Sequence, residues 1–164
     1  MIIIGIDPGV ANLGYAFIEI KEKGEKLKTI DYGCITTSSS LSPGERLKII
    51  NNQLNKLIKK YKPDVMGVEK LYFFKNLKTA MPVSQAKGVV LLTAAKKRIP
   101  IYEFTPLEVK MGICGYGRAE KIQVQKMIKN LLNLKEIPKP DDAADALAIA
   151  VYCANFLKIN IKLR

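Results

Sequence analysis

The sequence predicts an α/β protein built on a five-stranded mixed sheet with helices on both faces. Three observations carry that reading. Five short runs rich in β-branched and aromatic residues lie at 1–7, 13–20, 27–36, 65–69 and 101–104. Four longer stretches place apolar residues at helical spacing. Their order, three strands and then helix, strand, helix, strand, helix, helix, is that of a mixed sheet covered on both sides.

The first run is apolar up to Asp7, where Pro8-Gly9 stops it in a tight turn. The runs at 13–20 and 27–36, separated by the turn-like segment 21–26, extend it into an antiparallel meander. A polar loop leads to Ser42-Pro43, and Arg46, Leu47, Ile50, Leu54 and Ile58 then carry a helix that ends near Lys62-Pro63. After the strand at 65–69, residues 79–97 form a second helix of small and apolar residues, Pro100 breaks it, and the strand at 101–104 follows. Residues 118–132 and 142–157 are the remaining helices. Gly115-Tyr116-Gly117, set among Lys110, Arg118 and Lys121, reads as a mobile DNA-contacting loop, with an ordinary turn as the plainer alternative. No repeat or linker interrupts the chain, so residues 1–164 are expected to form one domain.

Composition narrows the chemistry. Lys and Arg outnumber Asp and Glu by 27 to 15, a formal net charge of +12 that suits a polyanionic partner, nucleic acid above all. No apolar run approaches the roughly 20 residues of a membrane span, so no membrane partner is expected. The start lacks a basic leader and meets Asp7 at once, and Cys34, Cys114 and Cys153 form no CxxC pair; both features fit the cytoplasm. Histidine is absent, which removes the commonest general base and the usual zinc ligand. Hydrolysis by this chain must rest on carboxylates, lysine or a hard metal ion.

Asp7 and Glu69 each close an apolar strand, so the two carboxylates reach the same edge if those strands are parallel neighbours. Taken singly, a strand-end carboxylate is usually a solvated charge. Asp142 and Asp145 share one face near the start of an Ala-rich helix. Capping and the helix dipole account for an acid at Asp141 or Asp142. They do not account for Asp145, embedded in alanine, leucine and isoleucine where the helix should be packing. Two unit charges ~4 Å apart repel by about 4 kcal/mol at an effective dielectric of ~20, so a cleft gathering four acids needs a cation. An all-oxygen donor set selects Mg²⁺ or Mn²⁺, and two such ions can activate a water and stabilise the oxygen leaving a phosphodiester.

At this point the residues resemble a family, the RuvC Holliday junction resolvases, over nearly the whole chain. Gly5-Ile6-Asp7-Pro8-Gly9 with Gly14-Tyr15-Ala16 is similar to the family's first catalytic strand and turn. The run from Val68-Glu69-Lys70 through Tyr72-Phe73-Phe74-Lys75-Asn76, with Gln85-Ala86-Lys87-Gly88, resembles its second acidic motif and junction-probing loop. Val109-Lys110, Gly117-Arg118-Ala119-Glu120-Lys121, Gln123-Val124-Gln125 and the block from Asp142 to Ala150 resemble its signature in order and spacing. Lys70, Pro82 and Ser84 depart from the usual pattern.

The resemblance implies an RNase H-like fold and a homodimeric, Mg²⁺-dependent endonuclease that resolves Holliday junctions in recombination and repair. It implies paired symmetric nicks in strands of like polarity, leaving 5′-phosphate and 3′-hydroxyl ends, and a RuvA-RuvB branch-migration complex as a further partner. It maps the catalytic, metal-binding acids onto Asp7, Glu69, Asp142 and Asp145, which decides between Asp141 and Asp142. Two ions per subunit are expected, with Mn²⁺ substituting. DNA contacts fall to Tyr72, at the position that inserts at the crossover, to Phe73, Phe74 and Lys75 beside it, and to Lys110, Arg118 and Lys121 at phosphates. An aromatic run after a strand is more often core, but the flanking Lys70, Lys75 and Lys78 give it the pattern of a base-stacking platform. A strand ending in Asp-x-Gly also resembles the phosphate loop of sugar kinases, yet those enzymes need a second half to close on ATP. A non-catalytic junction binder would gain nothing from four acids in its groove.

Overall fold

The computed structural model describes residues 1–21, 26–70 and 77–162, with the side chains of 77–79 and 160–162 left out. Its strands are β1 (Ile2–Asp7), β2 (Asn12–Ile20), β3 (Leu27–Thr36), β4 (Val65–Glu69) and β5 (Ile101–Phe104). They form one sheet in the order β3-β2-β1-β4-β5. β1 pairs antiparallel with β2 and parallel with β4, and β4 runs parallel to β5. All five strands match the sequence expectation, as does the mixed character of the sheet.

Helices α1 (Pro43–Tyr61) and α2 (Leu77–Lys96) cover one face; α3 (Pro106–Cys114), α4 (Lys121–Leu131) and α5 (Asp141–Lys162) cover the other. α1 begins where Ser42 accepts the Glu45 amide and Glu45 accepts the Ser42 amide, a capping box contributing on the order of 1 kcal/mol. It stops at Lys62, which takes a left-handed conformation before Pro63. Pro82 sits inside α2 without ending it, because so near the amino end it forgoes one backbone bond. None of the described helices is long and apolar enough to cross a membrane.

Two expectations change. Helix α3 falls in a stretch to which the sequence reading gave no element, and α4 starts at Lys121 rather than Arg118, its Glu120 amide bonded to the Gln123 side chain at 2.8 Å. Gly115-Tyr116-Gly117 is the turn that ends α3: Gly115 adopts φ 69° and donates its amide to the Met111 carbonyl at 2.8 Å.

The alternation of strand side chains decides where the acids point. In β1, Ile4 and Ile6 enter the core under α1 and α2, whereas Ile3 joins the core under α5, so Gly5 and Asp7 share the α5 side. In β4, Met66 and Val68 face α1 and α2, which puts Val65, Gly67 and Glu69 on the α5 side. α5 lies unusually close to the sheet. A Cβ on Gly5 would strike the Ala146 carbonyl and Ala150, and one on Gly14 would strike the Asp142 carbonyl. The glycines and the alanines of α5 are thus the means of approach: bare backbone on one side and methyls on the other let the helix's first two turns reach the strand ends.

Candidate active site

Asp7 and Glu69 end neighbouring parallel strands one position past the paired Ile6 and Val68, so their side chains leave the same edge on the same face. Asp142 lies in the first turn of α5, Asp145 one turn on, and the close seat of that helix brings both to the two strand ends. Acids from distant parts of the chain are therefore near enough for Asp7 to feel the charges of the other three. The positive end of the α5 dipole partly offsets their charge.

Electrostatics records the convergence. The Asp7 carboxyl is pushed up to about 8, first by burial, then by the charge of Glu69 and a hydrogen bond with it, and further by Asp145 and Asp142. Burial also raises Glu69; its hydrogen bond with Asp7 and the nearby Lys87 and Lys121 work against that, while Asp145 adds to it. Without a cation, Asp7 keeps its proton and donates it to Glu69, the state expected of close carboxylates that cannot both ionise. Asp145 is raised by burial and partly relieved by Lys121, whose ammonium stands 2.9 Å from it. That ammonium also reaches Asp141 at 3.4 Å. Burial lowers Lys121, but its two carboxylate partners outweigh burial and leave it raised.

Beside Glu69 and Asp145 opens a cavity of about 240 Å³, whose wall includes Lys110, Lys121, Pro106 and Val109. Two of the three basic residues expected at phosphates thus line it. Arg118 is exposed just before α4 and is not part of that wall. Tyr72, Phe73, Phe74 and Lys75 lie outside the described residues. Two neighbours were not among the site residues expected from the sequence. Lys87 lowers Glu69 from α2 while bonding Glu103 at 2.9 Å, and Asp141 bonds Gln125 at 3.0 Å as well as Lys121. Cys34 of β3 lies near Asp142, and its thiol is pushed up to about 11 by burial and by that charge, so it stays protonated.

The donor set suits a hard divalent cation: every group is a carboxylate, the acids destabilise one another, and a lysine stands in as partial counter-charge. Among the described residues, no three acid, cysteine or histidine side chains are already drawn into a coordination cage.

The family model described as Crossover junction endodeoxyribonuclease RuvC matches residues 3–153. The chain belongs to the RuvC family. It is 56% identical over 162 residues to the crossover junction endodeoxyribonuclease RuvC of Halothermothrix orenii, covering 99% of this chain and 97% of that one. With that of Alkaliphilus metalliredigens it shares 57% over 155 residues, 94% of this chain and 93% of the relative. The structure of Thermus thermophilus RuvC in complex with Holliday junction substrate superposes with a TM-score of 0.91 at 32% identity, covering 98% and 96% of the two chains. Yeast mitochondrial Holliday junction resolvase Ydc2, at 17% identity and a TM-score of 0.69, shares the fold. The sheet and its five helices are the RNase H-like architecture of RuvC, and this RuvC-family chain is a nuclease hydrolase.

Proposed function

We propose that this RuvC-family nuclease resolves four-way DNA junctions, with Asp7, Glu69, Asp142 and Asp145 holding two Mg²⁺ ions, or Mn²⁺ in their place. The observation that carries the reading is the half-buried, mutually repelling set of carboxylates at the ends of β1 and β4 and the start of α5, with Asp7 raised to the point where it retains a proton near neutral pH. Such a set has no structural purpose that an apolar group would not serve better. When bound, the ions supply Lewis acidity that activates a water and stabilises the departing 3′ oxygen, leaving a 5′-phosphate and a 3′-hydroxyl. Asp7 would have to give up its proton to serve as a ligand to such an ion. Lys121 and Lys110 present positive charge to the phosphate lying over Glu69 and Asp145.

Residues 1–164 act as one domain, and two copies related by a twofold axis place one such cleft on each of two strands of like polarity, which yields paired symmetric nicks. The net charge of +12 holds the junction by its phosphates. The setting is recombination and repair in the cytoplasm, with a RuvA-RuvB complex as the branch-migrating partner. Tyr72, Phe73, Phe74 and Lys75 meet the crossover, and Arg118 adds a phosphate contact at the rim. The test is Asp145→Asn on a synthetic four-way junction. Cleavage in Mg²⁺ should vanish while the gel-shifted complex persists, and undiminished cutting by the variant would overturn the assignment.

A further inference from the structure

On the far side of the acids from Lys110 and Lys121 lies a second cavity, of about 360 Å³, whose wall includes Asp142, Asn12, Arg46 and Val83. Its polar groups are arranged in an unusual way. Arg46 of α1 donates from Nε to the Thr37 hydroxyl at 2.8 Å, and Thr37, itself buried, donates to the Val10 carbonyl at 2.5 Å. The Thr36 hydroxyl donates to Asn12 Oδ1 at 3.3 Å. The two threonines at the end of β3 thus fix one end of each side chain. The Arg46 Nη groups and the Asn12 Nδ2 amide, which can only donate, are left for whatever enters the cavity. None of the ion pairs among the described residues uses Arg46, and the adjacent Glu45 is engaged in the α1 cap. A half-buried guanidinium anchored through Nε, without a carboxylate partner and beside a metal-binding acid, is built to meet an oxyanion.

We infer that Arg46, assisted by Asn12, binds a phosphate of the cleaved strand that flanks the scissile one on the Asp142 side, opposite the lysines. The inference rests on the junction-cleavage reading above and adds to it a second grip. The strand would be held on both sides of the reacting phosphate, which fixes its orientation for in-line attack.

The test replaces single phosphates of the cleaved strand, position by position, with uncharged methylphosphonates. Binding is measured without divalent cation for wild type, Arg46→Gln and Asn12→Ala. Arg46→Gln should weaken binding of the unmodified junction about tenfold or more and reduce the log–log salt slope by about 0.9. One methylphosphonate near the cut should weaken wild-type binding while costing Arg46→Gln almost nothing further. Arg46→Lys should recover only part of the loss, since it keeps the charge but not the fork. Should Arg46→Gln fail to fold, the exposed Asn12→Ala decides by the same comparison. If every position costs wild type and variant alike, Arg46 touches no phosphate and the inference fails. Failure of the wild type to cut the junction would instead sink the junction-cleavage reading on which the inference rests.

Discussion

Asp7→Asn should stabilise the metal-free protein while destroying its catalytic site. In the folded state the Asp7 carboxyl titrates at about 8, against an ordinary value of 3.8. The folded chain therefore keeps a proton that the unfolded chain releases. Stability is unaffected below about pH 4, is lost progressively as pH rises, and levels off above about pH 8. Four units at about 1.36 kcal/mol each would amount to on the order of 5 kcal/mol if Asp7 bore it all. Because Glu69 shares that proton, the figure to expect is on the order of 3 kcal/mol. Asparagine has the shape of the protonated acid and no proton to lose. In EDTA at pH 8 the variant should melt about 6–12 °C above wild type, and the gap should close towards pH 4–5. Millimolar Mg²⁺ should raise wild type and leave the variant nearly unmoved, since a bound ion stabilises only the state that binds it. Thermal melts followed by circular dichroism, across pH and with or without Mg²⁺, measure all of this. Equal melting temperatures in EDTA at pH 8, or a gap independent of pH, would refute the reasoning.

Other consequences are as direct. Gly14→Ala forces a methyl against the Asp142 carbonyl, so it should cost about 1–3 kcal/mol and depress cleavage by tilting the first turn of α5. Gly44→Ala, in open space, should do neither, and melting curves beside junction cleavage compare them. Lys121→Gln removes the charge 2.9 Å from Asp145, and the single-turnover cleavage rate should fall on the order of 100-fold with folding intact.

The sheet was legible because β-branched runs ending in turn residues resemble little else, and its mixed order followed from the sequence of elements. Asp145 was legible through incongruity: an acid among alanines on a packed helix needs a reason. Helix α3 was not, because Leu107, Val109, Met111 and Ile113 alternate as in a strand while only Val109 and Ile113 are buried. Its signal was local, the Thr105-Pro106 start with Glu108 closing a capping box. Choosing Asp142 over Asp141 needed the family resemblance. The contacts of Asp141 with Gln125 and Lys121 were not legible, because they exist only once α4 has packed. Arg46 passed as one more residue of an amphipathic helix, because its anchor Thr37 lies outside the helix, across the loop that precedes it.

The acids come from the first strand, the middle of the chain and the last helix. In order of synthesis Asp7 precedes Glu69, and Asp142 and Asp145 follow only after β5, α3 and α4. On the proposed reading, a chain made only as far as α4 lacks two of the four acids and would be unable to cut the DNA it clings to. The proposed capacity to harm the genome would thus be withheld until α5 settles against Gly5 and Gly14.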